Sequence, residues 1–230
     1  MGVTMTMHEA PRRPIKVRQS RWAAALARLL LRMGMRPNQV SVLSMVFAGL
    51  AGGCILLSGR VSPVWGIFLL VMAAAFIQLR LLCNLLDGML AVEGGLKTPA
   101  GELFNDLPDR ISDCVVLLVM GYAVTWVSWG DEMGWAAALL AIATAYVRVL
   151  GGSAGARQHF TGPMAKQQRM ALVTVACLFS AVETAIGWPT YAFTIALAVI
   201  ILGCVPTIVI RLKNTYQDLM RLGDREGMPR

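Results

Sequence analysis

Two short stretches combine acids and amides at helical spacing: "NLLDGMLAVEGG" from Asn84, and "GELFNDLPDR" from Gly101 to Arg110. At ~100° per residue, Asn84, Asp87, Gly88 and Ala91 fall within one narrow arc of a helix. Gly101, Asn105, Asp109 and Asp113 recur at every fourth position and share a face of the following segment. Oxygen donors unaccompanied by histidine or cysteine suit a hard cation such as Mg2+ rather than zinc. A Mg2+ held by few protein groups finds its remaining ligands on water and phosphate. Gly88, Ala91 and Gly101 remove side-chain bulk on the same faces, so a ligand can approach the backbone. The chemistry these residues support is a metal-and-phosphate site. The plainer alternative is helix capping with an i, i+4 ion pair of Asp106 and Arg110. It accounts for Asp106 and leaves Asn84 and Asp87 without a reason.

The elements that carry these residues are long and apolar. Of 230 residues, 57% are hydrophobic and only 15% charged, too apolar for a soluble domain of this size. The apolar residues come in runs of about 20, the length that crosses ~30 Å of hydrocarbon. Spans are expected at roughly 39–59, 63–83, 107–127, 135–152, 168–187 and 190–211, an all-α membrane fold with six crossings. Charged groups near membrane depth are costly and tend to be functional, which singles out both acidic stretches and also Arg148. Arg80, one turn before Asn84, is a candidate to face the same polar cavity.

The formal net charge of +8 raises nucleic acid as a partner, but its placement argues against it. Basic residues crowd the segment before the first span, the connections after the even-numbered spans and the C-terminus. The opposite connections, "SGRVSP", "SWGDEMG" and "ETAIGWP", carry a single Arg between them. By the positive-inside rule, both termini and the acidic stretches face the cytoplasm of the cell membrane. The basic charge then serves topology and contact with anionic membrane lipids. The five cysteines are scattered within spans without paired spacing, as packing residues are, and no cleavable leader is expected from the polar, basic N-terminus. Residues 1–17 are expected as a disordered basic tail and 18–36 as an amphipathic helix on the membrane surface. A six-span domain follows over 37–213, and 214–230 form a cytoplasmic tail.

The segment from Asn84 to Asp109 resembles the signature of the CDP-alcohol phosphotransferase family of integral membrane enzymes. That signature reads D-x-x-D-G-x-x-A-R, eight residues, then G-x-x-x-D-x-x-x-D. This chain has "NLLDGMLAV", eight residues, then "GELFNDLPD", with the spacing kept throughout. "RPNQVS" before the first span is similar to the family's Pro-Asn-x-x-Thr/Ser entry. The resemblance implies transfer of a substituted phosphate from a CDP-linked lipid, CDP-diacylglycerol in the first instance, to a small polar alcohol with release of CMP. It also implies one or two Mg2+ or Mn2+ ions and a homodimer. Carried over by position, Asn84, Asp87, Asn105 and Asp109 fall at the metal positions, with Asp109 also the base. Pro37, Asn38, Gly88, Ala91, Thr98 and Gly101 would line the nucleotide and its phosphates. Arg148, Lys166 and Arg169 are candidates to hold the acceptor.

Three signature positions differ. Asn84 and Asn105 stand where the family has bridging aspartates, and Val92 where it has arginine. An amide offers one carbonyl oxygen and no charge, whereas a carboxylate offers two oxygens and can bridge two ions. Asp106 and Asp113 are candidates to supply the missing ligands, as are Glu93 and Glu102, and Lys97 the missing cation. Three readings stay open at this point: an active variant with fewer or rearranged metal ligands, a protein that binds CDP-lipid without turning it over, and a membrane interaction partner.

Overall fold

The computed structural model describes residues 20–96 and 101–226. All regular structure there is helical, in seven helices. These are α1 (Arg21–Arg32), α2 (Pro37–Ser58), α3 (Pro63–Glu93), α4 (Gly101–Tyr122), α5 (Gly130–Ser153), α6 (Lys166–Ala185) and α7 (Tyr191–Glu226). Proline opens both α2 and α3, where its missing N–H is no loss and its fixed φ already suits the helix. α1 ends in a Schellman turn: Gly34, at φ 74°, lets Met35 N–H reach back to the Leu30 carbonyl and its own N–H to that of Leu31.

Six helices close into a ring. α2 packs on α3 and α4, α3 on α6, α6 on α7, α7 on α5, and α5 on α4. The core holds Ala48, Ala51, Ala73, Ala137, Ala138 and Ala141 beside larger residues such as Leu70, Leu117, Phe193 and Ile200. Small residues allow helix axes to approach closely where lipid supplies no hydrophobic drive between helices. The tightest such crossing is between α4 and α5. A Cβ added to Gly121 would lie 2.7 Å from the Gly134 Cα and 2.6 Å from the Gly130 carbonyl oxygen.

α1 lies against α3 with three different faces. Ala23 and Ala27 are buried in a cluster with Val40, Cys83, Leu86, Met89 and Leu90. Trp22, Leu29 and Met33 are exposed on a second face, and Arg21, Arg28 and Arg32 occupy a third. Buried, apolar and basic faces are thus separate on this one helix.

Among the described residues, four helices are long and apolar enough to cross a membrane: α2, α3, α5 and α7. The acids and bases within the first turns of α4 and α6 hold those two below that measure. The helix bounds differ from the expected spans in several places: α4 and α5 begin at Gly101 and Gly130, ahead of the expected 107 and 135. α3 runs on to Glu93, so Asn84 and Asp87 belong to the same unbroken helix as the second apolar run. α4 stops at Tyr122, short of the expected 127: Thr190 Oγ1 donates to the Ala123 carbonyl at 3.3 Å, and Trp126 Nε1 donates to Thr194 Oγ1 at 3.0 Å. α7 continues into the stretch expected as a tail, where His159 meets Asp218 at 2.9 Å and ties the α5–α6 connection to the helix. The expected tail at 1–17 lies outside the described residues.

The bundle has two unlike ends. The acids and arginines gather where α2, α4 and α6 begin and α3 and α5 end, while Trp65, Trp126, Trp129, Trp135 and Trp188 stand exposed at the opposite end.

Candidate active site

Asp87 sits in the last third of α3, beside the first turn of α2. Its carboxylate is buried, 3% exposed, and Oδ2 accepts a 2.7 Å hydrogen bond from the Ser41 hydroxyl. Oδ1 is buried with no hydrogen-bond partner. One turn earlier, the Asn84 amide nitrogen is likewise buried and unpartnered. Such groups are uncommon in folded proteins and call for a reason.

Asp109 comes from α4, directly after Pro108, whose ring removes a backbone donor and leaves the Phe104 carbonyl without its helical partner. Asp109 Oδ2 is ion-paired with Lys166 Nζ at the first position of α6. Asp109 Oδ1 has no hydrogen-bond partner, and Arg80 Nη2 stands 3.9 Å away. The Asp109 charge acts on Asp87, and the Lys166 ammonium faces both carboxylates. Two helix ends thus bring their acids to one small volume, each with a free, buried oxygen.

Behind them lies a buried ionic cluster. Asp113 takes Arg80 Nη2 on Oδ1 at 2.5 Å and Arg169 Nη2 on Oδ2 at 2.9 Å. Arg80 and Arg169 are 0% and 1% exposed. Arg80 also reaches the Asp109 backbone carbonyl at 3.3 Å and the Met170 sulfur at 2.8 Å. Arg169 donates to the Met164 carbonyl at 2.9 Å and to Thr144 Oγ1 at 3.2 Å. Ions this deep persist only where geometry and hydrogen bonds offset their lost hydration. The cluster fixes α3, α4 and α6 relative to one another.

The remaining expected residues divide into those near this volume and those elsewhere. Pro37 and Asn38 begin α2, one turn before Ser41, and are half-buried. Gly88 and Ala91 are half-buried on α3, and Gly101 is half-buried at the start of α4. Asn105 is exposed. Asp106 turns outward to Arg148 at 2.5 Å and Arg110 at 3.5 Å. Both Asp113 oxygens are taken by guanidinium groups, which leaves neither for a cation. Arg148 is further engaged by Gln158 at 3.0 Å and by the Phe160 ring, 5.1 Å from its centroid. Thr98 and Lys97 lie outside the described residues, as do the side chains of Glu93 and Glu102.

Two contacts were not read from the sequence. Ser41 as a donor to Asp87 spans 46 positions, and only the Ser in "RPNQVS" hinted at it. The role of Asp113 as counter-ion to Arg80 and Arg169 spans 33 and 56 positions, and the sequence showed only that Arg80 and Asp113 each lie one turn beyond an acidic stretch.

Among the described residues, no three His, Cys, Asp or Glu side chains gather to hold a metal ion. The donor set nonetheless fits one hard cation. Asp87 Oδ1 and Asp109 Oδ1 are unpartnered carboxylate oxygens on facing helices, and Mg2+ commonly rests on one or two carboxylates plus phosphate. An apolar groove of about 340 Å³, lined by Val147, Leu150, Leu212 and Tyr216, lies apart from these acids.

Comparison with known proteins agrees with the signature resemblance. The chain is 28% identical over 223 residues to a phosphatidylinositol phosphate synthase of Mycobacterium marinum, covering 89% of this chain and 88% of that protein. Its fold is shared with phosphatidylinositol phosphate synthase of Mycobacterium tuberculosis at 21% identity. The crystal structure of that enzyme with CDP-DAG bound matches with a TM-score of 0.68, over 86% of this chain and 94% of the other. The structure in complex with manganese and citrate matches with a TM-score of 0.69, over 84% and 88%. No family model matches the chain.

Proposed function

We propose that this chain is a CDP-alcohol phosphotransferase: a membrane enzyme of phospholipid synthesis that transfers a phosphatidyl group from CDP-diacylglycerol to a polar alcohol. The observation that carries the reading is the meeting of Asp87 and Asp109 at two helix ends, each with a buried, unpartnered oxygen. The relative is a phosphatidylinositol phosphate synthase, and the matching fold has been crystallised both with CDP-DAG and with manganese.

In this reading α2 to α7 each cross the membrane, α1 lies along the inner surface, and both termini and the site are cytoplasmic. The enzyme is a homodimer. Asp87, held by Ser41, and Asp109 are the protein groups that would hold a divalent ion, with the Asn84 carbonyl oxygen beside them. A bound ion would supply Lewis-acid stabilisation of charge on the diphosphate. The chain itself orients the diphosphate through the small surface of Gly88, Ala91 and Gly101 and the start of α2 at Pro37 and Asn38. The signature resemblance assigns Thr98 to the same lining. Asp109 accepts the proton of the acceptor hydroxyl as its oxygen bonds to the phosphatidyl phosphorus. The bond from that phosphorus to the bridging oxygen breaks, and CMP leaves. Lys166 borders the site through Asp109, whereas Arg169, 1% exposed and held by Asp113, Met164 and Thr144, lies behind it rather than against an acceptor, and Arg148 is further out. Phosphoryl-type transfer asks a protein chiefly for position and charge, and this arrangement supplies both.

A second reading rests on Asn84, Asn105 and Val92: the same fold could bind CDP-lipid without turning it over. Release of labelled CMP from CDP-diacylglycerol, with Mg2+ or Mn2+ and a panel of alcohols, separates the two. Turnover that falls by about 10²-fold or more in Asp109→Asn supports catalysis. CDP-lipid binding with no CMP release across the panel would leave the binder.

A further inference from the structure

The buried charges around Asp109 can be counted. Asp87, Asp109 and Asp113 supply three negative charges, and Arg80, Lys166 and Arg169 supply three positive ones. The cluster is therefore formally neutral before any metal or substrate arrives. A nucleotide diphosphate diester brings two negative charges. One divalent cation entering with it restores neutrality, while two would leave two positive charges in excess. At membrane depth an uncompensated charge is expensive, and an excess of two is a strong penalty.

The ligands give the same count. Asp87 Oδ1 and Asp109 Oδ1 are free for one ion. The other Asp87 oxygen is occupied by Ser41, and the other Asp109 oxygen by Lys166. The two neighbours that might bridge a second ion are amides, and Asn105 faces solvent. Among the described side chains, the two remaining acids on α4 are engaged, Asp106 by Arg110 and Arg148, and Asp113 by Arg80 and Arg169. What stands on Asp109 is a cation already covalently part of the chain. Lys166 is the first residue of α6, its side chain is 18% exposed, and its ammonium stands on Asp109 beside the two unpartnered carboxylate oxygens. A lysine ammonium is a compact point charge with three rotatable donors, a familiar partner of phosphate oxygens.

We infer that this site takes a single divalent ion and that the Lys166 ammonium occupies the role of a second cation, contacting Asp109 on one side and the substrate diphosphate on the other. The inference rests on the reading of the site as a diphosphate-binding one, and it deepens that reading by stating how the charge is carried. It also gives the two amides a physical reason. With an ammonium fixed at Asp109, additional carboxylates at 84 and 105 are not needed to balance a second dication.

The test is a count of bound Mn2+ by electron paramagnetic resonance on the purified full chain in lipid nanodiscs, with and without CDP-diacylglycerol. The wild-type chain is expected to bind one Mn2+ at saturation. Asn84→Asp and Asn105→Asp combined with Lys166→Met should bind two, and the same pair of substitutions with Lys166 retained should bind the second at least about tenfold more weakly. Lys166→Arg keeps the charge and should keep the count of one. Two Mn2+ ions on the wild-type chain, none at all, or equal second-site affinity with and without Lys166 would each overturn the inference. The wild-type count needs no substitution, so a variant that fails to fold does not remove the test. CMP release measured on the same samples separates the two claims. Turnover with two ions bound leaves the proposed function standing and removes the role of Lys166. One ion bound with no CMP release from any acceptor does the reverse.

Discussion

Asp113 is the residue on which the buried cluster turns. Replacing it with asparagine leaves Arg80 and Arg169 buried with a neutral amide between them, and breaking one partner out of such a cluster costs about 3–5 kcal/mol. Asp113→Asn is therefore expected to lower the thermal midpoint of the detergent-solubilised protein markedly. A surface change such as Asp106→Asn, at a half-exposed pair, should shift it little. If the two variants melt alike, the cluster does not carry the stability assigned to it. The same residue shows where single-residue reading stops. Its spacing from Asp109 placed it correctly on one helix face, and that face made it a candidate metal ligand. Its real partners, Arg80 and Arg169, lie 33 and 56 positions away, and no local pattern pairs them. Ser41 and Asp87 pose the same difficulty across 46 positions. Residue types and periodicity report which groups share a surface. They do not report which of them neutralise each other.

At the scale of elements, the fold is set by how closely helices approach, and the crossing of α4 and α5 is the tightest constraint near the aromatic end. Gly121→Val would drive a side chain into the Gly130 carbonyl and the Gly134 backbone, neither of which can move as a flexible side chain would. Overpacking of this kind costs about 1–3 kcal/mol, and more where backbone must shift. The expected result is a lower thermal midpoint with the Mn2+ count unchanged, because Gly121 is three turns from Asp109 along α4. Gly53, with open space around its Cβ position, is the control: Gly53→Ala should be near neutral or mildly stabilising. The helices themselves were largely legible. Proline at their starts, glycine after their ends and runs of apolar residues located them to within a few positions. The exceptions have particular causes. α4 ends early because Thr190 and Trp126 tie down the chain beyond Tyr122, and α7 runs long because nothing between 214 and 222 breaks a helix while Asp218 is held by His159. Both depend on contacts with residues far along the chain, which a local window does not contain.

For the whole molecule, the ring of α2 to α7 predicts an arrangement relative to the membrane that its ends make testable. One end gathers the acids, the buried arginines and the α1 surface with its exposed arginines, and the other carries the exposed tryptophans. Tryptophan favours the headgroup boundary, and lysine and arginine favour the cytoplasmic side. Helices α2 to α7 alternate in direction along the chain, so the short connections around Arg60, 123–129 and 186–190 share the tryptophan end. The five native cysteines are half-buried or buried within helices, which keeps background labelling low. A single cysteine at Arg60 should react with a membrane-impermeant thiol reagent added to intact cells. One at Arg157, in the exposed connection between α5 and α6, should react only after the membrane is opened. The reverse pattern would place the acids outside and overturn the orientation assigned under the proposed function. Equal labelling of both sites in intact cells would mean that the ring does not span the bilayer in one orientation. The first outcome is expected because basic residues dominate the connections at the acidic end. Moving that end to the outer face would require carrying them across the hydrocarbon at a cost of about 2.5–3.5 kcal/mol for each charge at its centre.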